Sequence, residues 1–121
     1  MATILIVEDT AANRVLATKL LRGAGHDVMT AETGADGVTM ARERRPDLVL
    51  MDLGLPDMDG WQALKEVRKF DGDAARLRVV AFTAHAMVGD QERALEAGFD
   101  GYLSKPIDVA TFAATVAELV S

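Results

Sequence analysis

The sequence predicts an α/β protein built on a parallel sheet. Short β-rich segments alternate with longer segments of helical periodicity in five units along the 121 residues. Three of the β-rich segments are almost purely apolar, which is typical of strands covered by helices on both faces. The predicted strands are Thr3 to Val7, Asp27 to Ala31, Asp47 to Met51, Arg78 to Phe82 and Gly101 to Ser104.

Cap residues and apolar stripes locate the helices between these strands. Thr10 is the predicted N-cap of the first helix, and Thr33 with Asp36 has the spacing of a capping box at the second. Helix four has the thinnest stripe, formed by Met87, Ala94 and Leu95, so we expect much of it to face water and to offer a surface to a partner. The predicted helices run from about Ala11 to Ala24, about Gly34 to Arg45, from near Gly60, about Ala86 to Ala97, and onward from Asp108 with Val109, Phe112, Val116 and Leu119 on one stripe.

The composition restricts the possible classes of function. The length fits one domain, which we assign to residues 1–121. With 13 basic and 19 acidic residues the net charge is −6, which argues against direct DNA binding. Cysteine is absent, which excludes disulfides, zinc knuckles and thiol nucleophiles. The apolar runs are far shorter than the about 20 residues that span a bilayer, so we expect no membrane segment and a cytoplasmic location.

Polar side chains follow four of the five predicted strands. Glu8 and Asp9 follow the first strand, Asp52 the third, Thr83 the fourth and Lys105 the fifth. The carboxyl ends of parallel strands meet at one edge of the sheet, where open α/β sheets bind their ligands. We therefore expect these five residues to be neighbours.

Three carboxylates at one edge need a compensating charge. Two of them about 4 Å apart repel by about 4 kcal/mol at an effective dielectric of 20, and magnesium offsets such repulsion while leaving room for a phosphate oxygen. Lys105 adds a cation and Thr83 a hydroxyl donor, which together suit a phosphoryl group. The sequence thus predicts that Asp52 attacks phosphorus and forms an acyl phosphate, whose extra charge draws Thr83 inward as a switch.

Other polar residues admit simpler interpretations. Asp57, Asp59 and Gly60 resemble part of a calcium loop, but the remaining ligands are missing at the required spacing, so a turn and a helix start are favoured. His26 and His85 stand alone and are interpreted as loop residues. The methionines are interpreted as packing residues.

The motifs ILIVEDTAAN, PDLVLMDLGLPDMDGW, VVAFTAHAMVGD and AGFDGYLSKPI resemble those of the receiver domain of bacterial two-component response regulators. The resemblance covers essentially the whole chain, and it implies a flavodoxin-like, CheY-like sheet of order 2-1-3-4-5 with helices on both faces. Within the family, the sequence is similar both to free-standing regulators of the DivK type and to receivers of hybrid histidine kinases. Because the chain ends just after helix five, we expect no output domain.

Matched position by position, the resemblance implies a role for each site residue. Asp52 is the implied phosphoacceptor, and Mg²⁺ is the implied cofactor. Thr83 with Tyr102 forms the implied switch, and Lys105 binds the phosphoryl group. The implied metal ligands are Asp9, Asp52, the backbone carbonyl of Gly54, and Glu8 through a water, and Pro106 is the implied cis-proline.

The resemblance also implies partners and a lifetime. A histidine kinase or a histidine phosphotransfer protein would supply the phosphoryl group, and a downstream protein would bind the face formed by helix four, strand five and helix five. Gly54 and His85 occupy positions that tune the lifetime of the phosphorylated form, and glycine there suggests minutes rather than hours.

Two other functions compete with the switch. A magnesium-dependent phosphohydrolase of the haloacid-dehalogenase type would use Asp52 as nucleophile but needs a second aspartate two residues later, where this chain has Gly54. A scaffold that works without phosphorylation would not need the acidic, threonine and lysine positions. We therefore expect a signalling module that is no enzyme beyond catalysing its own phosphorylation and dephosphorylation.

Overall fold

Strands and helices alternate along the residues that the computed structural model describes, which are 2–70, 72, 77–84 and 89–120. The strands form one parallel sheet in the order β2-β1-β3-β4-β5, which confirms the predicted fold. The elements are β1 (Thr3–Val7), α1 (Ala11–Gly23), β2 (Asp27–Ala31), α2 (Gly34–Arg44), β3 (Leu48–Met51), α3 (Gly60–Arg68), β4 (Val79–Thr83), α4 (Asp90–Ala97), β5 (Gly101–Ser104) and α5 (Phe112–Val120).

Helices cover both faces of the sheet because successive strand residues point to opposite sides. One core cluster contains Leu5 and Val7 of β1, and it packs against α2, α3 and α4. The other contains Ile4 and Ile6, and it packs against α1 and α5. All residues of β3 and β4 are buried, as expected for strands enclosed on both faces.

Two of the predicted helix starts have side-chain caps. The Thr33 hydroxyl accepts a hydrogen bond from the Asp36 N–H at 3.1 Å, and the Asp59 carboxylate accepts one from the Gln62 N–H at 2.8 Å. Thr10 occupies the N-cap position of α1 without a cap hydrogen bond from its side chain in the described structure. Its carbonyl accepts the Arg14 N–H instead, at 3.0 Å.

Several predicted boundaries shift by one residue, and one prediction at helix five is wrong. Val109 does not join the apolar stripe of α5 and is 61% exposed. The reason is a turn before the helix, in which the Asp108 carboxylate accepts the Ala110 N–H at 3.0 Å and the Asp108 carbonyl accepts the Phe112 N–H at 2.9 Å. The predicted start of helix four, together with Met87 and His85, lies outside the described residues.

The register of the strands places their carboxyl ends side by side. Val7 pairs with Met51, Met51 with Ala81, and Thr83 with Ser104. The residues that follow these strands therefore emerge at one edge of the sheet. None of the helices among the described residues combines the length and the apolarity needed to cross a membrane.

Candidate functional site

Backbone hydrogen bonds continue past the ends of the strands and hold the predicted site residues in place. The Glu8 N–H donates to the Ala31 carbonyl at 2.9 Å, and the Asp52 N–H donates to the Val7 carbonyl at 3.0 Å. The Lys105 N–H donates in turn to the Thr83 carbonyl at 2.9 Å. The side chains therefore project from a rigid sheet edge rather than from a mobile loop.

Three carboxylates meet at this edge. One oxygen each from Glu8, Asp9 and Asp52 lies within 4.8 Å of the others. Glu8 is fully buried and Asp52 is 6% exposed, whereas Asp9 is exposed. The acidic cluster is thus open to solvent on the side of Asp9 and closed behind Glu8.

Lys105 supplies the cation of the cluster. Its ammonium group forms an ion pair with Glu8 and lies 3.3 Å from Asp52 Oδ2, and its side chain is only 9% exposed. The ammonium also lies 5.0 Å from the centre of the Phe82 ring, which favours a cation over its face. The peptide bond between Lys105 and Pro106 is cis, as the resemblance implies.

Burial and neighbouring charges move the pKa values of the two buried carboxyls in opposite directions. Burial and the hydrogen bond to Asp52 raise the pKa of Glu8, and the attraction of Lys105 only partly opposes them. Burial also acts to raise the pKa of Asp52, but hydrogen bonds with Glu8 and with the Gly54 N–H, together with the Lys105 charge, lower it. In the metal-free cluster, a proton is therefore bound more readily by Glu8 than by Asp52.

Thr83 and Tyr102 lie on the neighbouring strands β4 and β5. Thr83 is the last residue of β4 and is fully buried, and the register places Tyr102 beside Ala81. Because strand residues alternate, both side chains belong to the sheet face covered by α3 and α4, opposite to Phe82. Burial, followed by the negative charge of Asp90, raises the pKa of the half-buried Tyr102.

Gly54 follows Asp52 in the loop between β3 and α3. Its N–H donates to Asp52 Oδ1 at 3.0 Å, and the residue itself is exposed. A side chain at this position would first meet Asp52 Oδ1, at 4.0 Å, so the space beside the carboxylate is open.

Sequence reasoning missed Arg14. It also missed that the Asp57 carboxylate accepts hydrogen bonds from the N–H groups of Gly34 and Ala35. Arg14 donates from one guanidinium nitrogen to the carbonyls of Glu8 and Asp9, at 2.9 and 3.3 Å, and from the other to the Glu32 carboxylate at 2.9 Å. It thereby fixes the backbone of the acidic pair. No signal in the sequence distinguishes such an arginine from the other basic residues of an amphipathic helix.

The donor set fits a magnesium ion. The cluster offers carboxylate oxygens without nitrogen or sulfur donors among the described residues, and hard cations such as Mg²⁺ prefer oxygen ligands. The raised pKa of Glu8 is a second sign, because burial disfavours the charge on this carboxylate and a bound cation would offset that cost.

Comparisons with known proteins identify the family. The family model of the response regulator receiver domain matches residues 4–117. The polar-differentiation response regulator DivK of Brucella anthropi is 39% identical over 114 residues, which cover 94% of this chain and 92% of that protein. The chain belongs to the response regulator receiver domains of two-component systems.

Solved structures agree with this assignment. The receiver domain of the sensor histidine kinase PA1611 from Pseudomonas aeruginosa, which holds a magnesium ion in its active-site cleft, is 34% identical with a TM-score of 0.87 and covers 98% of this chain and 97% of its own. The chemotaxis response regulator CheY4 of Vibrio cholerae is 26% identical with a TM-score of 0.89 and covers 98% of each chain.

Proposed function

We propose that this edge of the sheet, the rim formed by Glu8, Asp9, Asp52 and Lys105, accepts a phosphoryl group on Asp52 in a magnesium-dependent reaction. The rim belongs to a proposed single receiver module spanning residues 1–121. The observation that carries this proposal is the position of the Lys105 ammonium between Glu8 and Asp52, 3.3 Å from Asp52 Oδ2, beside three converging carboxylates. A buried lysine that close to an ionised carboxylate is placed to contact an oxygen of a group bonded to that carboxylate.

The chemistry follows from the state of each side chain. Asp52 is ionised, so one of its oxygens attacks phosphorus while the bond from phosphorus to the donor breaks, and the leaving group departs with that electron pair. Lys105 binds an equatorial oxygen of the phosphoryl group, and the Thr83 hydroxyl receives another. Hydrolysis reverses the modification when water attacks phosphorus and Asp52 leaves as a carboxylate.

Magnesium is the proposed cofactor, and Asp9, Asp52 and the Gly54 carbonyl would hold it, with Glu8 acting through a water. The ion would neutralise charge on the phosphoryl oxygens and offset the repulsion among the carboxylates. The magnesium-containing cleft of the PA1611 receiver supports this choice.

A histidine kinase or a histidine phosphotransfer protein is the proposed donor, and a downstream protein is the proposed target. We assign the target surface to the face of α4, β5 and α5. Support comes from the exposure of this face: Leu95 of α4 is 47% exposed, and every residue of β5 is half-buried or exposed. Thr83 and Tyr102 connect the rim to that face.

The test is intact-mass analysis after incubation with acetyl phosphate, with and without magnesium. We expect wild type to gain one phosphoryl group only when magnesium is present, and Asp52→Asn to gain none. Glu96→Gln, a carboxylate on the exposed side of α4, serves as a control and should behave as wild type. Failure of wild type to gain mass, or an equal gain by Asp52→Asn, would overturn the proposal, and turnover of external phosphoesters would favour a hydrolase.

A further inference from the structure

Asp57 joins two parts of the molecule that are distant in sequence. It lies in the loop between β3 and α3, yet its two carboxylate oxygens accept the N–H groups of Gly34 and Ala35, at 2.7 and 2.9 Å. These are the first two residues of α2, whose N–H groups have no partner within their own helix. Hydrogen bonds from both N–H groups lower the pKa of Asp57, so the contact is made by the ionised form.

The loop also packs closely against the start of α2. A Cβ atom at Gly34 would lie 2.3 Å from Met58 Cγ and 3.3 Å from Asp57 Oδ1, so a larger residue there would displace the Met58 side chain and crowd the carboxylate. The contact is therefore built from both sides, by the glycine of the helix and by the aspartate and methionine of the loop.

A second hydrogen bond closes the base of the same loop. The Gly60 N–H donates to the Leu53 carbonyl at 3.0 Å, and a Cβ at Gly60 would lie 2.5 Å from the Asp52 carbonyl oxygen. Gly54 is located between this closed base and the Asp57 contact. The two contacts therefore restrain the backbone on both sides of Gly54, whose carbonyl is one of the proposed metal ligands.

We propose that Asp57 is a positioning residue, which anchors the β3–α3 loop to the N-terminus of α2 and so directs the Gly54 carbonyl toward the magnesium ion. This inference rests on the proposed function and adds to it a residue that does not touch the ion. Groups that orient metal ligands typically change metal affinity by about 10- to 100-fold when they are removed.

The alternative is that Asp57 only stabilises α2. Thr33→Ala separates the two, because it removes the side-chain cap of the same helix and leaves the loop contact intact. Two substitutions of Asp57 weaken the loop contact to different degrees. Asp57→Ala removes both acceptor oxygens, whereas Asp57→Asn keeps one.

The experiment is calorimetric titration of each purified protein with MgCl₂. We expect the Kd for Mg²⁺ to rise about tenfold in Asp57→Ala, to rise less in Asp57→Asn, and to stay at the wild-type value in Thr33→Ala. Phosphorylation by acetyl phosphate in Asp57→Ala should recover at saturating Mg²⁺. A Kd for both Asp57 variants equal to that of Thr33→Ala would overturn the inference and leave the proposed function intact.

A second measurement needs no metal and uses the milder variant. In metal-free Asp57→Asn, we expect the amide resonance of Gly54 to shift in NMR spectra together with those of Gly34 and Ala35. Shifts confined to Gly34 and Ala35 would show a helix cap without an effect on the loop, and would overturn the inference. Wild-type protein that neither binds Mg²⁺ nor gains a phosphoryl group would overturn the proposed function, and this inference with it.

Discussion

The rim at the strand ends and the face formed by α4 and β5 differ in how much of their surface is buried and in how many ion pairs connect their residues. At the rim, Glu8, Asp52 and Lys105 are nearly buried and are connected by ion pairs. On the other face, Ala94 is the buried residue of α4, and every residue of β5 is half-buried or exposed. The proposed chemistry therefore lies in a rigid region, and the proposed output lies in a region that buries little apolar surface.

This difference suggests a division of labour. Local opening of a segment costs less free energy where few apolar groups are buried, so a small change at the rim is more easily expressed in α4 and β5 than in β1 or β3. Thr83 is the proposed connection, because it ends the buried strand β4 and pairs with Ser104 of β5. Substitutions at the rim should alter the chemistry, and substitutions on the outer face should alter only the response.

The largest effect is expected at Lys105. Lys105→Met keeps an unbranched side chain of similar length and removes the charge beside Asp52 Oδ2. The initial rate of phosphorylation by acetyl phosphate at saturating Mg²⁺ should fall by about 100-fold, the effect typical of losing one group that stabilises transition-state charge. Time-resolved intact-mass spectrometry measures the rate. The control is Lys69→Met, whose side chain is 70% exposed; a Lys105→Met rate close to that of the control would contradict the assigned role.

The next effect is expected at Thr83, the proposed connection between the two regions. Thr83→Val keeps the shape of a fully buried side chain and removes its hydroxyl. Losing a hydrogen bond to a charged group, worth about 1.5 to 3 kcal/mol, should slow phosphorylation by about tenfold or more. We expect phosphorylation of wild type to change the fluorescence of Trp61, because Trp61 contacts Phe99 just after α4 with ring centres 5.5 Å apart. Thr83→Val should abolish this change.

Ser104→Ala is the matched control for Thr83→Val. It removes a hydroxyl at the position paired with Thr83, but from an exposed residue. We expect it to keep both the rate and the fluorescence change. A Thr83→Val protein that is phosphorylated and still changes its Trp61 emission would show that the signal reaches α4 by another route.

The fold and the main site residues could be predicted from the sequence because both follow from repeated patterns. The bounds of β1, β2 and β5 are confirmed, and the parallel alternation alone brings Glu8, Asp52 and Lys105 to one edge. Arg14 and Asp57 could not be assigned in this way. In the sequence each looks like an ordinary charged residue of a helix or a loop. Asp57 binds Gly34 and Ala35, and Arg14 binds backbone carbonyls, so the neighbouring side chains do not indicate either contact.

The sequence alone also could not predict which of the two buried carboxyls, Glu8 or Asp52, binds a proton more readily. Glu8 and Asp52 are both carboxylates after apolar strands, and only their burial and hydrogen bonds separate their pKa values. Val109 illustrates the opposite case, in which a clear sequence pattern led to a wrong prediction. It fits a helical stripe in the sequence, but the turn formed by Asp108 leaves it outside the helix and exposed.

A smaller effect, on stability, is expected from Glu8. Its pKa is raised in the folded protein, so its contribution to stability is present below its unfolded-state value of 4.5 and is lost as the pH rises through the folded-state value. Glu8→Gln resembles the protonated form at every pH. In metal-free solution, the free energy of unfolding of Glu8→Gln relative to wild type should increase as the pH rises from 4.5 to the folded-state pKa and stay constant above it, with a total increase of about 1.4 kcal/mol for each unit of pKa shift.

Urea denaturation with a chelator between pH 4 and pH 8 measures this difference. Glu96→Gln, an exposed carboxylate on α4, should show no such divergence from wild type. A constant difference between Glu8→Gln and wild type across the range would mean that folding leaves the pKa of Glu8 unshifted, and that the rim is less strongly desolvated than its burial indicates.

The smallest effect is expected at Arg93 on the outer face. Its guanidinium lies 5.7 Å from the centre of the Trp61 ring and 3.5 Å from Asp90, and its side chain is 71% exposed. Arg93→Ala should lower the free energy of unfolding by only about 0.5 to 1 kcal/mol, change the Trp61 emission and leave the phosphorylation rate unchanged. Arg44→Ala, at the exposed end of α2, should leave the emission as it is. If Arg93→Ala instead slowed phosphorylation as strongly as Thr83→Val, the rim and the outer face would form one unit, because a contact on the surface would then control a reaction in the buried cluster.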